Sequence, residues 1–215
     1  MRERVIESIE KNKIIVIVRG VLKDDLIPLA EAMYEGGIRL IECTYDASGV
    51  ISDVETGERI RMLKEHFADR MFIGAGTVIN EKQVEITKRA GGSFIISPNT
   101  SERVIKKTRE LGLVSIPGAL TPTEIVSAHD MGADFVKVFP VNYMGEKYIK
   151  DLRAPLSHIK MLAVGGITVD NMRSYIDAGA SGVGVGSGIV NKNMIKEGRF
   201  SDIAAFARQY TDKLL

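Results

Sequence analysis

Much that would mark a specialised protein class is missing from this chain. It has one cysteine, Cys43, and no tryptophan. A lone cysteine excludes an internal disulfide framework and suits a reducing compartment. Neither sign of charge dominates, with 29 Lys+Arg against 28 Asp+Glu. That balance argues against a general nucleic-acid or membrane-surface role, which usually shows a basic excess. The N-terminus, Met1–Lys13, is charged, and no apolar run of signal-peptide or transmembrane length follows it. A cytoplasmic location is therefore expected. No G-x-G-x-x-G follows the first apolar run, which weakens a dinucleotide-binding reading. No His/Cys/Asp cluster has metal-ligand spacing, so neither a metal nor another cofactor is expected. The three histidines, His66, His129 and His158, fall away from strand ends and read as surface or packing residues. There is no Pro/Ser-rich linker and no low-complexity tract, which leaves one domain over residues 1–215.

What is present is a repeat of short apolar runs. These are Ile14–Val18, Leu40–Thr44, Met71–Ala75, Phe94–Ser97, Val114–Pro117, Phe135–Phe139, Met161–Val164 and Gly182–Val185. Segments of helical period follow them, at Leu26–Glu35, Glu81–Ala90, Glu102–Leu111, Pro122–Met131, Tyr148–Ala154, Val169–Ala178 and Ile203–Leu214. Near-continuous apolar strands separated by helices indicate a parallel sheet covered on its faces. Eight strands predict an α/β (β/α)₈ TIM barrel, with a doubly wound open sheet as the fallback. The longest irregular stretch is expected at residues 45–58, after the second strand.

Two strands carry a charge in their middle, Glu42 and Lys137. Strand parity puts Leu40, Glu42 and Thr44 on one face, and Phe135, Lys137 and Phe139 on one face. The outer face of a barrel strand is sealed by apolar helices, so both charges should point inward. Cys43, opposite in parity, should point outward. An inward lysine beside a carboxylate is either a structural ion pair or an amine catalyst. In the second case desolvation, aided by Arg19, lowers the lysine pKa, and the neutral amine condenses with a carbonyl. Glu42 would then move protons.

Barrel active sites lie at the C-terminal strand ends. Arg19, after strand one, is a candidate clamp for a carboxylate, and the Thr77 hydroxyl could join it. Pro98 follows strand four. Gly165-Gly166 and Gly186-Ser187 end the last two strands, the usual anion-binding loops of this fold, with a helix expected to start near Thr168 or Val169. Three function classes fit these residues. They are a Schiff-base aldolase, an isomerase or synthase using Glu42 as base with no covalent intermediate, and a non-catalytic sugar-phosphate-binding protein.

Several motifs occur in order: Gly36-Gly37-Ile38-Arg39-Leu40-Ile41-Glu42-Cys43-Thr44, Gly74-Ala75-Gly76-Thr77-Val78, Ile96-Ser97-Pro98-Asn99, Ile116-Pro117-Gly118, Phe135-Val136-Lys137-Val138-Phe139-Pro140 and Ala163-Val164-Gly165-Gly166-Ile167. Over residues 12–190 the chain resembles the class I aldolases of the 2-keto-3-deoxy-6-phosphogluconate (KDPG) and 4-hydroxy-2-oxoglutarate (KHG) type. The resemblance implies a (β/α)₈ barrel, a homotrimer, no metal, and cleavage of a phosphorylated keto sugar acid to pyruvate and glyceraldehyde 3-phosphate. By position it makes Lys137 the Schiff-base lysine and Glu42 the general acid/base. It puts Arg19, Thr77 and Pro98 on the pyruvate carboxylate side, and Gly165, Gly166, Gly186 and Ser187 on the phosphate side. Many members carry an arginine two residues past the threonine of Glu-x-Thr, where it contacts that carboxylate. Here the place holds Asp46, and Arg19 is expected to take over. The Arg19-Gly20, Pro98-Asn99 and Ala163–Gly166 details also resemble the 6-phosphogalactonate aldolases, which differ in one stereocentre.

Overall fold

The structure is a computed structural model that describes residues 1–214; Leu215, the last residue of the expected domain, lies outside the described residues. The strands are β1 (Ile14–Val18), β2 (Leu40–Thr44), β3 (Phe72–Gly76), β4 (Phe94–Ile96), β5 (Val114–Ile116), β6 (Gly118–Ala119), β7 (Val136–Val138), β8 (Met161–Val164) and β9 (Gly182–Val185). All pair in parallel, in the order β5-β4-β3-β2-β1-β9-β8-β7-β6. β5 and β6 are one stretch of chain interrupted at Pro117, which has no N–H to give a ladder. Its first half pairs with β4 and its second half with β7. The Pro117 carbonyl still accepts from Lys137 N at 2.8 Å. Counted as one stave, this stretch closes a (β/α)₈ barrel of eight.

The helices are α1 (Arg2–Asn12), α2 (Leu26–Glu35), α3 (Asp53–Phe67), α4 (Glu81–Arg89), α5 (Glu102–Glu110), α6 (Pro122–Asp130), α7 (Gly145–Arg153), α8 (Met172–Asp177), α9 (Lys192–Lys196) and α10 (Phe200–Asp212). Among the described residues none is long and apolar enough to cross a membrane. Alternation along the strands divides the core in two. Cys43, Ile73, Ala75, Val136 and Val138 belong to the layer between sheet and helices. Ile15, Leu40, Phe94, Ile116, Phe135 and Leu162 fill the barrel itself. Val5 and Ile9, one helical turn apart on α1, join the inner cluster and plug the N-terminal end.

The structure corrects several expectations. The irregular segment after β2 ends sooner than residue 58, because α3 begins at Asp53. Ser52 caps it, accepting from Glu55 N at 3.1 Å, a Ser-x-x-Glu start signal. Gly57, which reads as a loop residue, is helical and lets α3 approach α4; a Cβ there would lie 2.6 Å from Ile86 Cγ2. Residues 168–171 are not helical, and α8 starts only at Met172. Finally, α1 and α9 are helices that the strand–helix alternation did not single out, and Phe135 and Phe139 fall outside the paired part of β7.

Candidate active site

Above the apolar floor, the C-terminal mouth of the barrel opens into a cavity of about 960 Å³. Arg19, Glu42, Thr77, Pro98, Lys137, Gly165, Gly166, Gly186 and Ser187 all line it. Residues spread over 169 positions of sequence therefore share one cavity, because every strand end faces the same mouth.

Lys137 stands on β7, 7% exposed. Burial is the main influence that lowers its pKa, Arg19 lowers it further, and Glu42 opposes both. Its Nζ lies 4.7 Å from the centroid of the Phe139 ring. Glu42, on β2, is 2% exposed. Burial pushes its carboxyl up to about 7 against the pull of Lys137 and Arg19. Oε2 of Glu42 is buried with no hydrogen-bond partner among the described residues. The site thus holds an amine biased toward its neutral form and an acid that exchanges its proton near neutrality, the pairing that imine chemistry needs.

At the rim, Arg19 Nη2 donates to Thr77 Oγ1 at 2.9 Å. Thr77 has φ +59°, a left-handed conformation that β-branched residues avoid. Asp46 stays out of this cavity. It accepts from Ser48 Oγ at 2.7 Å, Ser48 N at 2.9 Å and Ile51 N at 3.0 Å. These bonds, the Ser48 hydroxyl foremost, hold its carboxyl down at about 2. It ties up its own loop and lines an adjoining 430 Å³ cavity with Arg59; Arg19 and Thr77 line both cavities.

On the opposite side, Gly165 and Gly166 have φ of 109° and 67°. Glycine is required there twice over, since a Cβ on Gly166 would lie 2.6 Å from Asn142 Cβ. The turn is pinned by Asn171, which donates Nδ2 to Gly166 O at 2.9 Å and accepts Thr168 N at 2.8 Å. Thr168 N is therefore occupied, and no helix begins at residues 168–169 to offer free N–H groups there. Sequence reasoning did not single out Lys192 or Asn191, which also line the cavity. Lys192 is the first residue of α9, and its Nζ lies 3.1 Å from where a Cβ on Gly20 would be. Its nearness in sequence to Gly186-Ser187 was the available signal. None of the three histidines lines the cavity. Among the described residues no group of three or more His, Cys, Asp or Glu could hold a metal ion.

A family model described as KDPG and KHG aldolase matches residues 5–206. The chain is 32% identical to the 2-dehydro-3-deoxy-6-phosphogalactonate aldolase of Escherichia coli over 94% of this chain and 96% of that one. It is 28% identical to the 2-dehydro-3-deoxy-phosphogluconate aldolase of Haemophilus influenzae over 98% and 96%. Its fold superposes with a TM-score of 0.82 on KDPG aldolase from Legionella pneumophila, solved with pyruvate captured as a covalent carbinolamine; the two are 28% identical, over 92% of this chain and 93% of that one. The chain belongs to the KDPG and KHG aldolase family, the carbon–carbon lyases of class I that work through a Schiff base.

Proposed function

We propose that the chain cleaves 2-dehydro-3-deoxy-6-phosphogluconate to pyruvate and glyceraldehyde 3-phosphate, with Lys137 as the nucleophile and Glu42 as the acid/base. The neutral Nζ attacks the C2 carbonyl; Glu42 gives its proton to the carbinolamine hydroxyl, which leaves as water, so that an iminium and a Glu42 carboxylate result. Glu42 takes the proton from the C4 hydroxyl as the C3–C4 bond breaks. The bond's electron pair flows into the iminium, leaving an enamine, and the aldehyde departs. Glu42 returns the proton to C3, and hydrolysis of the resulting iminium frees pyruvate and the amine. Arg19 and Thr77 hold the C1 carboxylate. The N–H groups of the turns at Gly165-Gly166 and Gly186-Ser187 receive the phosphate. 4-Hydroxy-2-oxoglutarate, which would give pyruvate and glyoxylate, is a second substrate of the same machinery.

The observation that carries this reading is the shared cavity of Lys137, its pKa lowered by burial, and Glu42, its carboxyl raised to about 7. The E. coli relative, a phosphogalactonate aldolase, favours a second reading, in which the substrate is the galactonate epimer. A pyruvate-release assay on both epimers, each with and without the phosphate, tests the two. The first reading expects the phosphorylated gluconate epimer to react fastest. A preference for the galactonate epimer selects the second reading, and no pyruvate from any of the four contradicts both.

A further inference from the structure

Two glycines sit on the inner face of β3 where a strand would ordinarily carry side chains. Gly74 and Gly76 pair with Glu42 and Thr44 of β2. Neither has a positive φ, so the backbone does not call for glycine at either place. Glycine weakens a strand, and when it sits inside one it often marks a close approach by another group. At Gly74 that group is the Phe94 ring: a Cβ there would lie 2.5 Å from Cγ and closer still to two other ring carbons. At Gly76 it is the Glu42 carboxyl: a Cβ would lie 2.6 Å from Cδ, 3.2 Å from Oε2 and closest of all to Oε1. Meanwhile Glu42 Oε2 has no hydrogen-bond partner among the described residues.

We propose that Gly76 is a positioning residue for the acid/base, its bare α-carbon forming the seat on which the Glu42 carboxyl rests. Shape here replaces a hydrogen bond, which leaves Oε2 free for the protons of the substrate. A methyl group at position 76 would meet the Glu42 carboxyl first. The flexible glutamate must give way, and the acid leaves its place while Lys137 keeps its own. The inference rests on the proposed role of Glu42.

The test compares four variants, Gly76→Ala, Glu42→Asp, the two combined, and Glu42→Gln, by steady-state kinetics across pH and by thermal melting. Gly76→Ala is expected to lower kcat by ~10²-fold or more, in the range of a lost general acid/base, with KM little changed and the kcat/KM limb near pH 7 displaced. Glu42→Asp, one methylene shorter, is expected to slow the parent enzyme but to speed the Gly76→Ala enzyme, because the shorter acid clears the added methyl. A merely structural glycine would lower the melting temperature and show no such reversal of sign. Folded Gly76→Ala with parental kcat and an unmoved pH limb overturns the proposal. So does a Glu42→Asp change that slows both backgrounds alike. If Gly76→Ala does not fold, the combined variant is expected to fold, and failure of both to fold contradicts the proposal. Glu42→Gln separates the two layers of inference. Loss of rate in that variant with none in Gly76→Ala sinks the seat alone, whereas parental rates in Glu42→Gln sink the acid–base role and this inference together.

Discussion

Arg19 reaches across the end of β2 to give a 2.9 Å hydrogen bond to Thr77, so the ends of β1 and β3 are joined directly at the mouth of the barrel. The bond aims a planar guanidinium, the side chain best suited to a carboxylate, over the cavity. It also depends on a threonine held at φ +59°. Strain of that kind costs ~1–3 kcal/mol and collects at functional sites.

Thr77→Gly should therefore separate stability from function. Relief of strain outweighs the ~0.5–1 kcal/mol that glycine's extra freedom in the unfolded chain costs, so the melting temperature is expected to rise. The Arg19 guanidinium loses its tether, and KM for the keto acid is expected to rise with it. Calorimetry and substrate titration of the same preparation check both halves. A Thr77→Gly protein that melts lower and binds substrate as before would contradict this account of the rim.

Glu42 makes a pH-dependent claim. Its folded-state pKa of about 7 lies above the ordinary 4.5, so the native state binds the proton more tightly than the unfolded chain does. Ionisation of this buried acid thus destabilises the fold increasingly as pH rises from 4.5 to 7, and fully above that. Glu42→Gln should accordingly gain stability relative to the parent as pH rises, by roughly 3 kcal/mol on the scale of 1.36 kcal/mol per pKa unit. The same substitution should slow turnover by ~10²–10⁴-fold. Denaturant titrations at pH 4.5 and pH 8 read the first effect, and kcat reads the second. A stability difference independent of pH would show that the acid is not buried as described.

At the far end of the barrel, Asp134 binds α1 and α5 to the sheet. Its carboxylate accepts from Arg2, from Arg109 at 2.8 Å and from Ser115 N at 2.9 Å. The aspartate side chain is 4% exposed while both arginines are about a third exposed. Asp134→Ala should cost ~1–3 kcal/mol, the range for a buried group stripped of its partner. Turnover per folded molecule should not change, because the catalytic mouth lies at the opposite end. A shifted denaturation midpoint with unchanged kcat is the expected pair of results. A fallen kcat in fully folded protein would contradict the separation of the two ends.

Much of this architecture was legible because two simple rules coincide. Alternation with period two marks the inner face, and a barrel has only one interior, so Glu42 and Lys137 had to meet in it. The strands β1, β2, β8 and β9 fall where apolar runs place them. What stayed hidden was set by packing rather than pattern. Gly57 reads as a loop residue, yet it lies inside α3, a glycine there because Ile86 leaves no room for a side chain. Val5, Ile6 and Ile9 are the few apolar residues of a charged segment that does not announce a helix, yet they close the barrel floor. Lys192, the first residue of α9, enters the site only because the turn after β9 carries it there, a path that no local preference dictates. The part played by Asp46 was likewise invisible, since its partners Ser48 and Ile51 become partners only once the loop has folded.

Everything turns on the amine of Lys137 bonding to a keto acid. Incubating the enzyme with pyruvate and sodium borohydride, followed by peptide mass mapping, tests this most directly. The expected result is a stable reduced adduct on the peptide that contains Lys137, absent in Lys137→Ala, which should remain folded and lose nearly all turnover. An enzyme that cleaves its substrate and yields no adduct on Lys137 would contradict the account.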